Sequence, residues 1–499
     1  MNNYGRKLIY SSERNFTDSN IVDVVGRAMG VHIRNQMDIQ RLYDYYVGNH
    51  DILGRTKEVR AEICNKIVVN HAAEITNFKV GFTFGEPVQY VYRGKDTISE
   101  NANSGDDDSI AQLNKLMYRM GKSVRDRELA QWLYISGVGY RFTSYEGSEL
   151  KTYVCDPRST FTVHSDDIAH DVLLSVIYSV EETIDRTPKK KFSVYSKDHY
   201  WLIEDDKLIE SRKISGNPIT EYWANPTRQG CFEVVLEIID ALNNIASNRA
   251  DGIEQLIQSL IWFNNVEIDE EQFSELADRG GIVTKSSPNM PASIQMLTAT
   301  LDQDQTQTFA NDLYQMMLTI AAVPDRKASA GGNTGQALII GEGWTMAEAA
   351  AKSFEQSFCE GEKQFLETVL RTIKTVKTAT TVPENFRNLD ISDIDIKFTR
   401  NKTDNLLTKT QGLQNQLEAG IHPRIAIANC GLYSDPHQVY VESTEYLSKW
   451  LNQGGSDNGA AVETKAANAG SNVTNAEDEF NAILSALKSE NKEVTAENE

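Results

Sequence analysis

The sequence has few of the residues that build chemical centres. Its five cysteines, Cys64, Cys155, Cys231, Cys359 and Cys430, are odd in number, lie far apart and show no CxxC or Cys/His spacing. That argues against a disulfide scaffold and a compact zinc site, and predicts reduced thiols in a protein made in a cytoplasm. The histidines, His32, His50, His71, His164, His170, His199, His422 and His437, form no local metal-ligand spacing, and His71-Ala-Ala-Glu74 is not an HExxH metalloprotease helix. A GxSxG nucleophile elbow is missing. Gly331-Gly-Asn-Thr-Gly335 lacks the lysine and hydroxyl of a GxxxxGK[ST] phosphate loop, and Gly341-Glu-Gly343 does not extend to GxGxxG. No run reaches the ~18 consecutive apolar residues of a membrane span. The short basic start, Arg6-Lys7, is interrupted by Ser11-Ser-Glu-Arg14 before the apolar stretch of a secretory signal can form.

Positive charge is also scarce. Fifty basic residues stand against 71 acidic ones, a net charge of -21. This argues against a chain that wraps DNA by neutralising phosphates, but it suits an acidic wall past which DNA moves freely. The carboxylates of Asp106-Asp-Asp108, and Asp269, Glu270, Glu271, Glu275 and Asp278, read as solvated faces rather than metal sites. No catalytic centre, metal or cofactor is expected.

What is present is ample globular material: 499 residues, 40% hydrophobic and 24% charged. At ~150 residues per domain that is roughly three domains or subdomains. Apolar spacing predicts helices over 19–47 and 61–81, a strand over 88–92, a polar loop at 104–108 and a helix over 113–134. Alternating pieces follow at 140–142, 150–154, 172–178, 192–195 and 200–203, the pattern of an antiparallel α+β subdomain. A long helix is predicted over 233–262, with acids Glu233, Glu237, Asp240, Asp251 and Glu254 on an exposed or channel-facing side. Then come an excursion at 263–299, a helix over 305–322 ended by Pro324, a glycine-rich loop at 325–344 and a helix over 345–376. A strand near 391–398, helices at 405–419 and 423–430, a flexible stretch over 453–476 and a short helix at 477–487 complete the reading. Long helices need their apolar faces covered. Repetition in a closed ring would do this, as would folding back within a monomer.

Four stretches carry a resemblance to a known family. They are YDYYVGNHDILGR and NKIVVNHAAEITNFKVGFTFGEPVQY within 43–90, residues 219–265 with Ile239-Asp-Ala-Leu-Asn243 and Ser247, Thr334-Gly-Gln-Ala337, and Ile396-Lys-Phe-Thr-Arg-Asn401 with Gly420-Ile-His-Pro423. On these the chain, over about residues 20–450, resembles the portal proteins of tailed bacteriophages. The branch is that of long-tailed phages and prophages of Gram-positive bacteria.

The resemblance implies an α+β portal fold with wing, long-helix stem, small clip and helical crown, assembled as a ring. It implies an N-terminal arm at 1–19, a wing at 20–232, a stem helix at 233–262, a clip at 263–299 and a second stem helix at 300–324. A tunnel loop at 325–344, a long wing helix and return strand at 345–399, a crown at 400–450 and a flexible acidic tail at 451–499 follow. Arg326, Lys327, Gly331, Gly332, Asn333, Thr334, Gly335 and Gln336 would then face the DNA channel, and Glu267, Asp269, Glu270 and Glu271 would meet partners at the clip. The implied role is non-enzymatic. A ring of about twelve subunits sits at one vertex of the virion capsid and is assembled in the bacterial host cytoplasm. It carries double-stranded DNA during packaging and ejection. Its partners are the terminase large subunit, the major capsid and scaffolding proteins, and a head-completion or adaptor protein, with no membrane. Such a ring would carry roughly -250 formal charges. The alternatives are another virion ring component, such as an adaptor or tail protein, and a DNA-processing enzyme.

Overall fold

The computed structural model describes residues 5–92, 104–146, 149–181, 189–257, 260–264, 293–297, 303–325, 334–375, 389–399, 406–430 and a few positions up to 443. The chain divides into two compact units, Met1–Arg400 and Asn401–Glu499.

In the first unit, β1 (Ile9–Ser11) precedes a 27-residue helix, α1 (Ile21–Val47). Then come α2 (His71–Thr83), β2 (Gln89–Tyr92), α3 (Ser104–Arg119) and α4 (Lys122–Ser136). Eight strands follow: β3 (Val138–Glu146), β4 (Glu149–Cys155), β5 (Thr160–Ser165), β6 (Val172–Glu181), β7 (Lys189–Tyr195), β8 (His199–Glu204), β9 (Lys207–Lys213) and β10 (Ile219–Trp223). Together with β1 they form a six-stranded sheet, β1-β5-β6-β7-β8-β9, and a three-stranded sheet, β10-β3-β4. The unit closes with α5 (Leu236–Ile257), a two-stranded ribbon of β11 (Leu260–Asn264) and β12 (Ser293–Leu297), α6 (Gln303–Ile320), the 42-residue α7 (Thr334–Thr375) and β13 (Ile394–Lys397). β13 pairs antiparallel with β2, far away in sequence.

Three larger cores, beside a small cluster of Ile39, Val138, Tyr140 and Ile219, hold these layers. Residues two apart on successive strands, Phe161/Val163, Leu174/Val176, Phe192/Val194 and Trp201/Ile203, present one apolar face. Ile21, Val24, Val25 and Ala28 of α1 cover it at helical spacing. A second core packs Leu129 and Leu133 of α4 against Phe354, Phe358, Phe365, Leu366 and Val369 of α7. A third joins Leu42 and Tyr45 of α1, Ala72 and Ile75 of α2, Leu236 and Ile239 of α5, and Met317 and Leu318 of α6. In the second unit, α8 (Leu406–Glu418) and α9 (Pro423–Cys430) bury Ile427 with Tyr440, and Leu413 packs against them.

Several sequence expectations need correction. The helix expected from Ala61 begins only at His71, where the Asn70 side chain accepts from the Ala73 N–H, and the residues before it run alongside α5 instead. Asp106-Asp-Asp108 are not a loop but lie in the opening turns of α3. The helix expected over 113–134 is two, broken where Gly121 takes φ +64°, a left-handed turn suited to glycine. The helix expected to reach 262 stops at Ile257, and the chain re-enters as β11 by residue 260. The helix expected from Thr345 starts at Thr334. The antiparallel α+β pattern is present, but β1 joins β5 in parallel. β1, β5, β9 and β10 were not foreseen. The tail at 451–499, including the helix expected at 477–487, lies outside the described residues.

Candidate functional site

A ladder of polar contacts joins α5 to the segment that precedes α2. Two residues of extended chain advance ~6.6 Å, and one helical turn of four residues advances ~6 Å, so alternate backbone N–H groups can meet side chains four apart on a helix. They do. Asn65 N–H donates to Asp251 Oδ1 (2.7 Å), Ile67 N–H to Ser247 Oγ (2.9 Å) and Val69 N–H to Asn243 Oδ1 (2.8 Å). Asn65 Nδ2 also reaches Asp251 (2.9 Å) and Glu254 (3.0 Å). The ladder extends towards the start of α5. Asn243 Nδ2 donates to His50 Nδ1 (2.8 Å) and His50 Nε2 donates to the Tyr45 carbonyl (2.9 Å), which fixes the ring proton on Nε2. The Tyr45 hydroxyl donates to Asp240 (2.9 Å).

Asp251 is the keystone of this ladder. It is buried, and Oδ2 lies 3.1 Å from Arg55 Nη2 and 2.5 Å from Lys57 Nζ. Burial alone raises a carboxyl's pKa, but the Lys57 ammonium and the Asn65 donors outweigh it and hold Asp251 at about 2. The acids of α5 therefore do not form one channel-facing row. Asp251 is consumed by the ladder, Asp240 and Glu254 accept hydrogen bonds, and Glu233, just before α5, pairs with buried Arg6 at 2.7 Å. Glu237 is exposed.

A second assembly anchors α7. Lys122 and Asp126 on α4, Arg141 on β3 and Glu362 on α7 are all buried, two cations with two anions. Lys122 Nζ lies 2.6 Å from Asp126 and 2.9 Å from Glu362. Arg141 pairs with Asp126 and lies 3.5 Å from Glu362. Glu362 also accepts from the Tyr90 and Tyr222 hydroxyls, the latter at 3.0 Å. Burial opposes its charge, but Lys122 and Arg141 prevail and its pKa is lowered. The neighbouring Gly361 admits the Tyr222 ring: a Cβ there would lie 2.5 Å from it.

A third feature is uncovered apolar surface. On α6, Phe309, Met316 and Ile320 are 57%, 55% and 54% exposed and lie within ~40° on one helix face. The opposite face supplies Met317 and Leu318 to the core. Ile253 on α5 and Met346 on α7 are exposed as well.

Of the residues singled out from sequence, Thr334, Gly335 and Gln336 form the first turn of α7 rather than a loop. Arg326, Lys327, Gly331, Gly332 and Asn333 lie outside the described residues, as do Glu267, Asp269, Glu270 and Glu271. Among the described residues no cluster of His, Cys, Asp or Glu is arranged to hold a metal, and no helix is long and apolar enough to cross a membrane. The ladder partners Asn243, Ser247 and the 65–70 segment stood within recognised stretches, but their pairing was not foreseen. Nor was the α4/β3/α7 charge quartet, whose members are far apart in sequence.

The polar groups of these assemblies are spent on holding elements in register, while apolar helix faces stay uncovered. A family model described as phage portal protein, SPP1 Gp6-like, matches residues 31–458. The chain belongs to that family of phage portal proteins. A search of curated proteins finds no match.

Proposed function

We propose that this portal protein closes into a ring of about twelve subunits at one capsid vertex and forms the channel for double-stranded DNA during packaging and ejection. In this reading α5 and α6 are the stem, residues 263–299 the clip and residues 20–232 the wing. The second unit supplies the crown. Arg326, Lys327 and Gly331 to Gln336 meet DNA at the head of α7. Glu267, Asp269, Glu270 and Glu271 meet the terminase large subunit and later a head-completion or adaptor protein. Scaffolding and major capsid proteins hold the ring in the shell, which assembles in the bacterial host cytoplasm. The chain contributes structure and no catalysis of its own.

The observation that carries this reading is the apolar stripe of Phe309, Met316 and Ile320. A helix buried on one side and apolar on the other requires a second partner, and a head-to-tail contact that closes gives a ring. The excess of acid, -21 per chain, favours a wall that repels phosphate and keeps DNA mobile.

The test is light scattering with negative-stain imaging of the same peak. The expected mass is about twelve or thirteen times the 56.0 kDa subunit, as rings with an axial hole. A compact monomer that forms no ring with or without scaffolding protein overturns the reading, and so does hydrolysis of ATP or DNA by the purified chain.

A further inference from the structure

Strand β5 is buried on both faces. Phe161 and Val163 face α1, while Ile177 of β6 and Tyr195 of β7 pack on the other side of the sheet against Val138, Tyr140 and Ile219 of the three-stranded sheet. At this junction the β5–β6 register shifts between Val163 and His164, a bulge of the kind that re-aims a side chain. His164 Nε2 lies 3.0 Å from Glu221 Oε2 on β10 and 3.0 Å from Thr162 Oγ1. His164 Nδ1 lies 2.9 Å from the carbonyl oxygen of His170, a residue at φ +51° in the turn to β6.

A carbonyl and a carboxylate only accept hydrogen bonds. A neutral imidazole has one N–H. With the proton on Nδ1, the Nε2 lone pair faces Glu221; with it on Nε2, the Nδ1 lone pair faces the His170 carbonyl. Only the imidazolium donates to both. We propose that His164 is a proton-operated joint: protonated, it ties β5 to β10 and so couples the two sheets, and loss of the proton releases that tie.

The surrounding charges are few. Glu221 also accepts from Arg228 and, at 3.2 Å, from the Tyr140 hydroxyl. The His170 ring stacks at a tilt on Tyr10, and the Arg228 carbonyl accepts from the Arg6 N–H of the N-terminal segment at 2.9 Å. Release of the joint therefore also reaches the segment that supplies β1. Burial pulls the imidazole pKa down, Glu221 and the His170 carbonyl pull it up, Arg228 opposes them, and the balance lies above the ordinary histidine value. A raised folded pKa means the tie is complete below the ordinary value of ~6.5 and is lost as pH rises through the folded one.

The experiment is hydrogen exchange by mass spectrometry on the full-length protein at pH 6.5 and 8.5, corrected for intrinsic exchange rates. The expected result is a several-fold loss of protection at pH 8.5 confined to β5, β10, residues 224–228 and β1, with α5 and α6 unchanged. In His164→Gln, which titrates nowhere in this range, the difference between the two pH values disappears. Equal protection at both pH values, a uniform loss across the chain, or the same pH difference in the variant overturns the proposal. Should the variant fail to fold, the wild-type comparison decides alone.

Discussion

Glu362→Gln is the sharpest perturbation of the charge quartet. The substitution keeps the shape but leaves an oxygen acceptor for only one of the Tyr90 and Tyr222 hydroxyls, which donate to different oxygens of Glu362, and it removes one negative charge from a site closed to water. Lys122 and Arg141 then share only Asp126, leaving one uncompensated buried cation. Removing one partner from a buried ion pair costs about 3–5 kcal/mol. At ~2 °C per kcal/mol in a large unit, the melting temperature falls by roughly 6–10 °C. Removing a cation along with the anion, as Lys122→Met with Glu362→Gln, restores neutrality and should recover most of that loss. The assay is urea unfolding of wild type, both single variants and the double variant, read as a double-mutant cycle. The pH dependence gives an independent arm. The depressed pKa of Glu362 means its stabilisation is present above the ordinary carboxyl range and is lost as pH falls through the folded value. Glu362→Gln should therefore flatten the acid limb of the stability curve. A single variant within about 1 kcal/mol of wild type, or a double variant no better than the worse single, refutes the reasoning.

Other outcomes follow from the same geometry. Asp251→Asn keeps an acceptor for Asn65 but strips Arg55 and Lys57 of their charged partner, costing about 1.5–3 kcal/mol. Hydrogen exchange should rise at residues 65–69 before it rises in α1. Gly361→Ala improves helix propensity yet places a Cβ 2.5 Å from the Tyr222 ring, so it should destabilise by about 1–3 kcal/mol in thermal melts. Replacing Phe309, Met316 and Ile320 together by serine should leave the monomer's melting within about 0.5 kcal/mol per site while abolishing the ring in light scattering, because these side chains are exposed in the single chain.

Much of this protein was legible in one dimension. Helix α1 matched the apolar recurrence of Ile21, Val24, Val25 and Leu42 almost to the residue, and α8 and α9 fell within a residue or two of their expected bounds. The alternating strands from β3 to β8 announced themselves apart from β5, which was passed over although Phe161 and Val163 alternate with Thr160, Thr162 and His164. β9 was missed because it is an exposed and charged edge. The helix expected from Ala61 misread Ile63, Ile67 and Val68. Their apolar spacing is real, but the backbone N–H groups of this segment bond to Asn243, Ser247 and Asp251 rather than to its own carbonyls.

The same division holds for the functional elements. Local pattern and the quoted stretches were enough to point to the family and to the succession of the long helices α5, α6 and α7. They could not show which acids of α5 stay free, because a carboxylate's role depends on the cations that reach it, and Arg55 and Lys57 lie nearly two hundred residues away from Asp251. Nor could they assemble Lys122, Asp126, Arg141 and Glu362, or set His164 between a carbonyl and a carboxylate. Periodicity records which side of an element meets water. Only the tertiary structure decides which charges meet one another once water has gone.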